Sequence, residues 1–276
     1  VVDAVNSTGG LIVPDFLKEL NIEVIKLYCE PNGDFPHNPE PLKKNLTELS
    51  KKVIECNADL GIAVDPDVDR LVFVCEDGEL FGEENTLVAC ADYVLSKTPG
   101  STVSNLSSSR ALNDITKKHN QVHYYSAVGE VNVVDKMKKC KAIIGGEGNG
   151  GVIYPESHYG RDSIVGIGLF LSLYVERGLI ASKLLETFPK YFMVKEKINL
   201  SPSLNVDNIL GQIAEKYKNE NIDLIDGVRI DFKDSWVQLR KSNTEPIIRI
   251  YSEAKSNDKA SDLIKEIEIL IKNIIS

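Results

Sequence analysis

Long hydrophobic runs are missing from this 276-residue chain. A membrane-spanning helix needs about 20 consecutive, mostly apolar residues, and no stretch approaches that, so no membrane partner is expected. Cysteine is sparse and unpatterned: Cys29, Cys56, Cys75, Cys90 and Cys140 are odd in number, widely spaced and form no C-x-x-C pair. That argues against a disulfide scaffold and a structural zinc site, and fits reduced thiols in a cytoplasmic protein. Positive charge is in deficit, with 32 Lys and Arg against 41 Asp and Glu for a net charge of -9. A nucleic-acid backbone would be repelled at long range, so any anionic ligand has to be held locally. No repeat, low-complexity tract or coiled-coil heptad is present.

What is present is enough apolar material, 42% of residues, to fill two domains or three small ones. The chain opens VVDAVN, without an initiator methionine and strand-like from the start. Native domains usually begin with a few loosely ordered polar residues, so a piece of a longer chain is expected, with removal of a start methionine as the alternative.

Strand and helix signals alternate through the first two thirds. VVDAV, EVIKLY, ADLGIAV and LVFVC read as strands, with helices over 11–20 and 40–56. A second unit starts with a helix over 84–97, followed by strand STVSNL, helix 111–119, strand VHYY, helix 131–139, strand KAIIGG and apolar helices over 163–176 and 181–188. This is the βαβ rhythm of a largely parallel sheet. From about Met193 the pattern changes to a helix near 204–218, three strands near 228–232, 235–240 and 246–254, and a closing helix over 257–275, an α+β arrangement rich in hairpins.

The segment VDPDVDRLVF, residues 64–73, sets Asp65, Asp67 and Asp69 at alternate positions just past the apolar run LGIAV. Open α/β sheets present ligand sites at the carboxyl ends of their strands, and alternate residues of an extended segment share a side. Three converging carboxylates repel one another unless neutralised, and hard oxygen ligands of this number suit Mg²⁺ or Ca²⁺. A solvated acidic turn is the plain alternative, but it would not be expected to sit between two apolar strands with Arg70 attached. A calcium helix-loop-helix fails because Arg70 takes the glycine position, Pro66 stiffens the loop and LVFVC is a strand. An aspartate-nucleophile phosphatase fails because the Asp69-Arg70 pair is foreign to it.

Two further stretches carry chemistry. GGEGNGG, residues 145–151, lets backbone approach a ligand closely while Glu147 and Asn149 offer hydrogen bonds suited to polyol hydroxyls. It does not open a helix after a first strand, so it is no dinucleotide fingerprint; taken alone it would be an ordinary tight hairpin. LRKSNTEPIIRI, residues 239–250, offers the fixed donor fork of Arg240, the hydroxyls of Ser242 and Thr244, Asn243 in a turn, and inward N–H groups, a set that fits phosphate. Arg249 either adds charge to this set or pairs structurally with a carboxylate such as Glu253, and the structural role is preferred. Alone, SNTEP would be a polar hairpin.

In this order and spacing, DPDVDR, GGEGNGG and RKSNTEP resemble the metal, sugar and phosphate loops of the α-D-phosphohexomutase family, and CEPNGDFPHNPEP, residues 29–41, resembles a further family segment. The resemblance covers essentially the whole chain. It implies two three-layer α/β domains with mixed, largely parallel sheets over 1–80 and 81–193, then a smaller C-terminal α+β domain with an antiparallel sheet over 194–276. The family's first domain, with its phosphorylated serine in a T-A-S-H-N-P-like stretch, has no counterpart, and Ser107, Ser108 and Ser109 lack that context. The resemblance therefore implies a fragment without the phosphoryl donor and without activity of its own.

For what remains, the resemblance implies that Asp65, Asp67 and Asp69 hold Mg²⁺ with Arg70 as a supporting contact. Glu147 and Asn149 would grip sugar hydroxyls, and Arg240, Ser242, Asn243 and Thr244 would clamp the phosphate that is not reacting. The ligands would be a hexose phosphate and a hexose 1,6-bisphosphate. A glucosamine phosphate is preferred over mannose and glucose phosphates because GEGNGGV looks most like members assigned to it. Many members read G-E-x-S-G-H in the sugar loop, so Asn149 and Gly151 depart from that pattern, and a lysine of some members has no counterpart at Ala127. His158, Arg161 and Asp162 lie close enough in sequence to compensate, but read as a surface histidine beside a helix start. Weak Mg²⁺ binding is expected of the fragment. A non-catalytic sugar-phosphate-binding module is the alternative function.

Overall fold

The computed structural model describes residues 1–199, 204–242 and 247–275. By its contacts the chain forms two compact units, Val1–Tyr125 with Gly129–Pro189, and Ser126–Val128 with Lys190–Ser276. In the first unit, β1 (Val2–Asp3), α1 (Gly9–Glu19), β2 (Lys26–Leu27), α2 (Thr47–Glu55), β3 (Leu60–Val64) and β4 (Leu71–Cys75) come first. They are followed by α3 (Glu83–Lys97), β5 (Thr102–Asn105), α4 (Ala111–Lys118), β6 (His123–Ser126), α5 (Glu130–Cys140), β7 (Ile144–Glu147), β8 (Gly151–Ile153), α6 (Ser163–Arg177) and α7 (Ala181–Leu185).

Two four-stranded mixed sheets result, ordered β2-β1-β3-β4 and β6-β5-β7-β8. β1 lies parallel to both β2 and β3, and β5 parallel to β7, whereas β4 and β8 run antiparallel to β3 and β7. All five residues of β4 are buried, as a strand covered on both faces requires. Phe73 of β4 stacks on Phe170 of α6 with ring centroids 3.7 Å apart, and Phe81 meets the same ring edge-on at 5.0 Å. All three rings are fully buried. This cluster ties the first sheet to the helix that follows the second, which explains why both α/β layers belong to one unit.

The segment expected to be helical over 40–56 starts later. Pro39 and Pro41 disfavour helical backbone just before them, and a single 3₁₀ turn at Lys43–Asn45 precedes α2. EVIKLY yields only the two residues of β2.

Left-handed backbone collects at the carboxyl edge of the first sheet, at Val5 (φ 47°) and Asn6 (φ 53°) after β1, Tyr28 (φ 52°) after β2 and Val68 (φ 60°) after β3. Valine there is strained by about 1–3 kcal/mol and persists only where neighbours fix it. Asp3 does this for the first turn, its Oδ1 accepting from Val5 N at 3.0 Å. Its other oxygen faces His37 Nε2 at 3.0 Å, and His37 Nδ1 lies 2.8 Å from the Asn38 carbonyl. Segment 29–41 is thereby pinned to the sheet edge.

The second unit holds β9 (Phe192–Asn199), α8 (Val206–Lys216), β10 (Asn221–Asp223), β11 (Val228–Asp231), β12 (Ser235–Lys241), β13 (Ile247–Ala254) and α9 (Asn257–Ile275). Its sheet, ordered β10-β11-β12-β13-β9, is antiparallel throughout. Ile264, Ile267 and Ile271 of α9, spaced three and four apart, pack with Ile209 and Ile213 of α8 on Val237, Leu239 and Ile250. β9 was not expected from the sequence. Its central Lys195, Glu196 and Lys197 are charged and exposed, as an edge strand tolerates, yet it pairs with β13 over eight residues.

Two measurements check this account. The hydrogen bond to Asp3 raises the His37 pKa above its ordinary value, so the pair stabilises segment 29–41 fully below the unfolded pKa and loses that contribution as pH rises through the folded one. NMR titration should give His37 a pKa above about 6.5, and Asp3→Asn should abolish the elevation. Ile267→Ala, which opens a cavity in the second core, should destabilise that unit by about 3 kcal/mol, read by fluorescence of the single tryptophan, Trp236.

Candidate active site

The acidic loop folds around its first carboxylate. Asp65 Oδ1 accepts from the Asp69 and Arg70 amides at 3.0 and 2.9 Å, Val68 N donates to the Asp65 carbonyl at 3.1 Å, and Asp65 N donates to the Arg70 carbonyl at 3.3 Å. Neighbours fix the outside of the loop. The Ser7 and Thr8 hydroxyls at the start of α1 donate to the Pro66 carbonyl at 2.8 and 2.9 Å, and Ser163 N at the start of α6 donates to the Val68 carbonyl at 3.0 Å. The result brings one oxygen each of Asp65, Asp67 and Asp69 within 4.8 Å of one another, with Asp65 buried, Asp67 exposed and Asp69 between.

Burial pushes the Asp65 carboxyl up to about 7, Asp69 and Asp67 adding to the rise against the Arg70 amide, which lowers it. Burial also raises Asp69, opposed by the Arg161 guanidinium. Arg70 compensates only in part. Its Nε is buried without a hydrogen-bond acceptor, 3.6 Å from Asp65 Oδ2, while Nη1 reaches Glu40 of segment 29–41 at 3.3 Å. A hard divalent cation fits this donor set: three convergent carboxylate oxygens whose mutual repulsion the protein's own charges leave partly unrelieved.

The glycine loop between β7 and β8 is joined to the acidic loop through backbone, Leu71 N donating to the Gly150 carbonyl at 3.1 Å. Gly150 has φ 88°, and a Cβ there would lie 2.3 Å from the Leu71 carbonyl oxygen, so only glycine allows this approach. Glu147 is buried and accepts three bonds from the protein: Asn105 Nδ2 at 2.7 Å, Gly129 N at 3.0 Å and Arg161 Nη1 at 3.1 Å. Asn149 Oδ1 accepts from Gly151 N at 3.1 Å and shapes the turn.

Arg161, which by sequence alone is overshadowed by a surface histidine and a helix start, takes a central place. Its Nη2 pairs with Asp69 Oδ2, its Nη1 with Glu147, and its Nε lies 3.4 Å from Glu130 Oε2. One guanidinium thus ties the acidic loop to the glycine loop. Asp162 caps α6, accepting from Ile164 N and Val165 N at 2.8 and 3.1 Å, and half-exposed His158 sits 2.9 Å from its other oxygen. Those two are the surface histidine and helix start expected. Of the serine run, Ser108 Oγ accepts from Gly148 N at 2.9 Å and Ser109 N donates to Glu84 at 2.8 Å.

Arg240 and Ser242 belong to the second unit. Arg240 Nη1 donates to Asp226 Oδ2 at 3.1 Å, and Ser242 N closes the hairpin onto the Ile247 carbonyl at 3.0 Å. Asn243 and Thr244 lie outside the described residues. Glu253 accepts from the Trp236 indole at 2.8 Å, so the expected Arg249–Glu253 partnership gives way to another. Arg249 instead stands opposite Arg240 on one side and Lys197 on the other. Like charges directly across a ladder are destabilising without a counter-charge, and Asp226, paired with Arg240, supplies one.

Three family models match in succession: phosphoglucomutase/phosphomannomutase α/β/α domain II over residues 1–78, α/β/α domain III over 83–191 and the C-terminal domain over 194–270. The chain belongs to the phosphoglucomutase/phosphomannomutase family. It is 37% identical over 269 residues to a phosphoglucomutase/phosphomannomutase of Thermococcus kodakarensis, covering 96% of this chain and 59% of that one. It is 34% identical over 280 residues to a probable phosphoglucosamine mutase of Methanopyrus kandleri, covering 100% and 62%. A solved phosphoglucomutase/phosphomannomutase family protein from Burkholderia thailandensis superposes with a TM-score of 0.87 at 26% identity, over 99% of this chain and 59% of that one. The chain therefore spans about three fifths of the length of these relatives.

In this family member the Leu71–Gly150 contact is open to a direct test. Gly150→Ala should lower stability by about 2 kcal/mol through strain at positive φ and the clash with Leu71, measured by denaturant unfolding; an unchanged midpoint would show that the loops are not held this way.

Proposed function

We propose that this chain supplies the metal, sugar and phosphate loops of a phosphohexomutase interconverting hexose 6-phosphate and hexose 1-phosphate through a hexose 1,6-bisphosphate. The observation that carries the reading is the direct joining of the acidic loop to the glycine loop, by Leu71 and Gly150 through backbone and by Arg161 through side chain. The phosphoserine belongs to a domain preceding these residues in the parent chain. Three domains follow it, at 1–80, 81–193 and 194–276, in a cytoplasmic enzyme.

Asp65, Asp67 and Asp69 would hold Mg²⁺. When bound there, the ion supplies charge stabilisation to a phosphoryl group in its loose transition state. Arg70, kept beside the acidic loop by Glu40, contacts the same phosphoryl oxygens. Glu147 and Asn149 orient the sugar hydroxyls in either of the two poses a bisphosphate intermediate demands. Arg240, Ser242, Asn243 and Thr244 grip the phosphate that is not reacting, so that its binding orients the reacting end; the Lys197–Arg249–Arg240 row supports an anion on that side. A glucosamine phosphate is the preferred substrate, ahead of mannose and glucose phosphates, in keeping with the name of the Methanopyrus relative.

The test is ³¹P NMR of each hexose phosphate with the chain alone and with a separately produced phosphoserine domain. The chain alone should give no isomerisation. Adding the domain should give Mg²⁺-dependent turnover that Asp67→Asn lowers about 100-fold or more. Turnover by the chain alone, or none with the domain present, would overturn the proposal.

A further inference from the structure

Gly151 leaves a notch, and Arg161 fills it. A Cβ at Gly151 would lie 2.3 Å from Arg161 Cδ and 3.0 Å from Cγ. The stem of Arg161 therefore runs against bare backbone, and a bridge between Ile153 and Arg161 fixes where that stem starts. From there the guanidinium can reach three carboxylates on three separate elements: Asp69 of the acidic loop, Glu147 at the end of β7 and Glu130 at the start of α5. The side chain is only 14% exposed. A charge so placed is worth more than a surface ion pair, because removing it would leave buried Glu147 and part-buried Asp69 with less counter-charge.

The charge balance around it is lopsided. Asp65, Asp67, Asp69, Glu130 and Glu147 crowd two guanidinium groups, Arg70 and Arg161, and Arg161 alone touches both loops. Its partner Asp69 is one of the three carboxylates that would hold a divalent cation. An Asp69 oxygen engaged by a guanidinium donates less charge to a metal, and a metal bound to Asp69 repels the guanidinium in turn.

We propose that Arg161 is a built-in counter-cation of this site, seated by the absence of a side chain at Gly151, which holds Asp69 in competition with divalent metal and so makes metal occupancy felt at Glu147. The proposal rests on the reading of Asp65, Asp67 and Asp69 as the metal ligands. It assigns Arg161 a positioning role through Asp69 and Glu147.

Calorimetric titration of the chain with Mg²⁺ alone tests it. Arg161→Gln removes the competing charge. Gly151→Ala keeps that charge but pushes the stem out of its notch, so a folding defect in one variant does not decide the matter; thermal unfolding of both is recorded alongside. Each variant should bind Mg²⁺ with a Kd lower by about tenfold, the scale on which groups behind metal ligands act. Arg177→Gln, whose charge pairs with Asp92 instead, should leave the Kd unchanged. In the wild type, Mg²⁺ should also shift the Nε–Hε NMR signal of Arg161. Equal or weaker binding by both folded variants, with wild-type binding intact, overturns the role of Arg161 and leaves the metal site standing. No Mg²⁺ binding by the wild type or either variant overturns both.

Discussion

Placing Asp65, Asp67 and Asp69 within five residues creates a repulsion that the fold must offset before any ligand arrives. Much of the first unit can be understood as that offset. Backbone amides of the same loop turn toward Asp65, the start of α6 closes on Val68, hydroxyls at the start of α1 hold Pro66, and two arginines, Arg70 and Arg161, pair with its carboxylates. Burial, with a smaller contribution from the neighbouring Asp69 and Asp67 carboxylates, still pushes the Asp65 carboxyl up to about 7. A divalent cation would relieve three carboxylates together, where a proton relieves only one.

The aromatic cluster anchors the strand that leaves the loop. Phe73 follows the acidic loop by four residues, and its stacking on Phe170 fixes β4 against α6. The amide of Leu71 is thereby held where Gly150 can accept from it. Packing, backbone pairing and electrostatics converge within one short stretch, so a change in any of them would be felt by the others.

The sequence made the fold class and the acidic loop readable because both are written locally. Apolar strands bounded by turn residues reveal their period, and alternate aspartates after such a strand need no distant partner to be noticed. β9 escaped notice because an edge strand can afford a charged, exposed face, so MVKEKIN carries little hydrophobic signal. Glu147 was singled out, but its burial and its bonds to Asn105, Gly129 and Arg161 depend on residues 14 to 42 positions away. Arg161 escaped for the same reason: its neighbours in sequence suggest a helix start, and only the fold shows that glycine at 151 makes room for it. Arg249 opposite Arg240 follows from strand register, which composition does not encode.

The central claim is that the acidic loop binds a divalent cation with the glycine loop at its side. Adding Mn²⁺ to the ¹⁵N-labelled chain and recording which amide signals broaden tests it most directly, because paramagnetic broadening falls steeply with distance. The account predicts loss of signals from residues 65–70 together with those of 147–151 and 161–163. Broadening that spares residues 65–70, or that reaches them without touching the glycine loop, would contradict it.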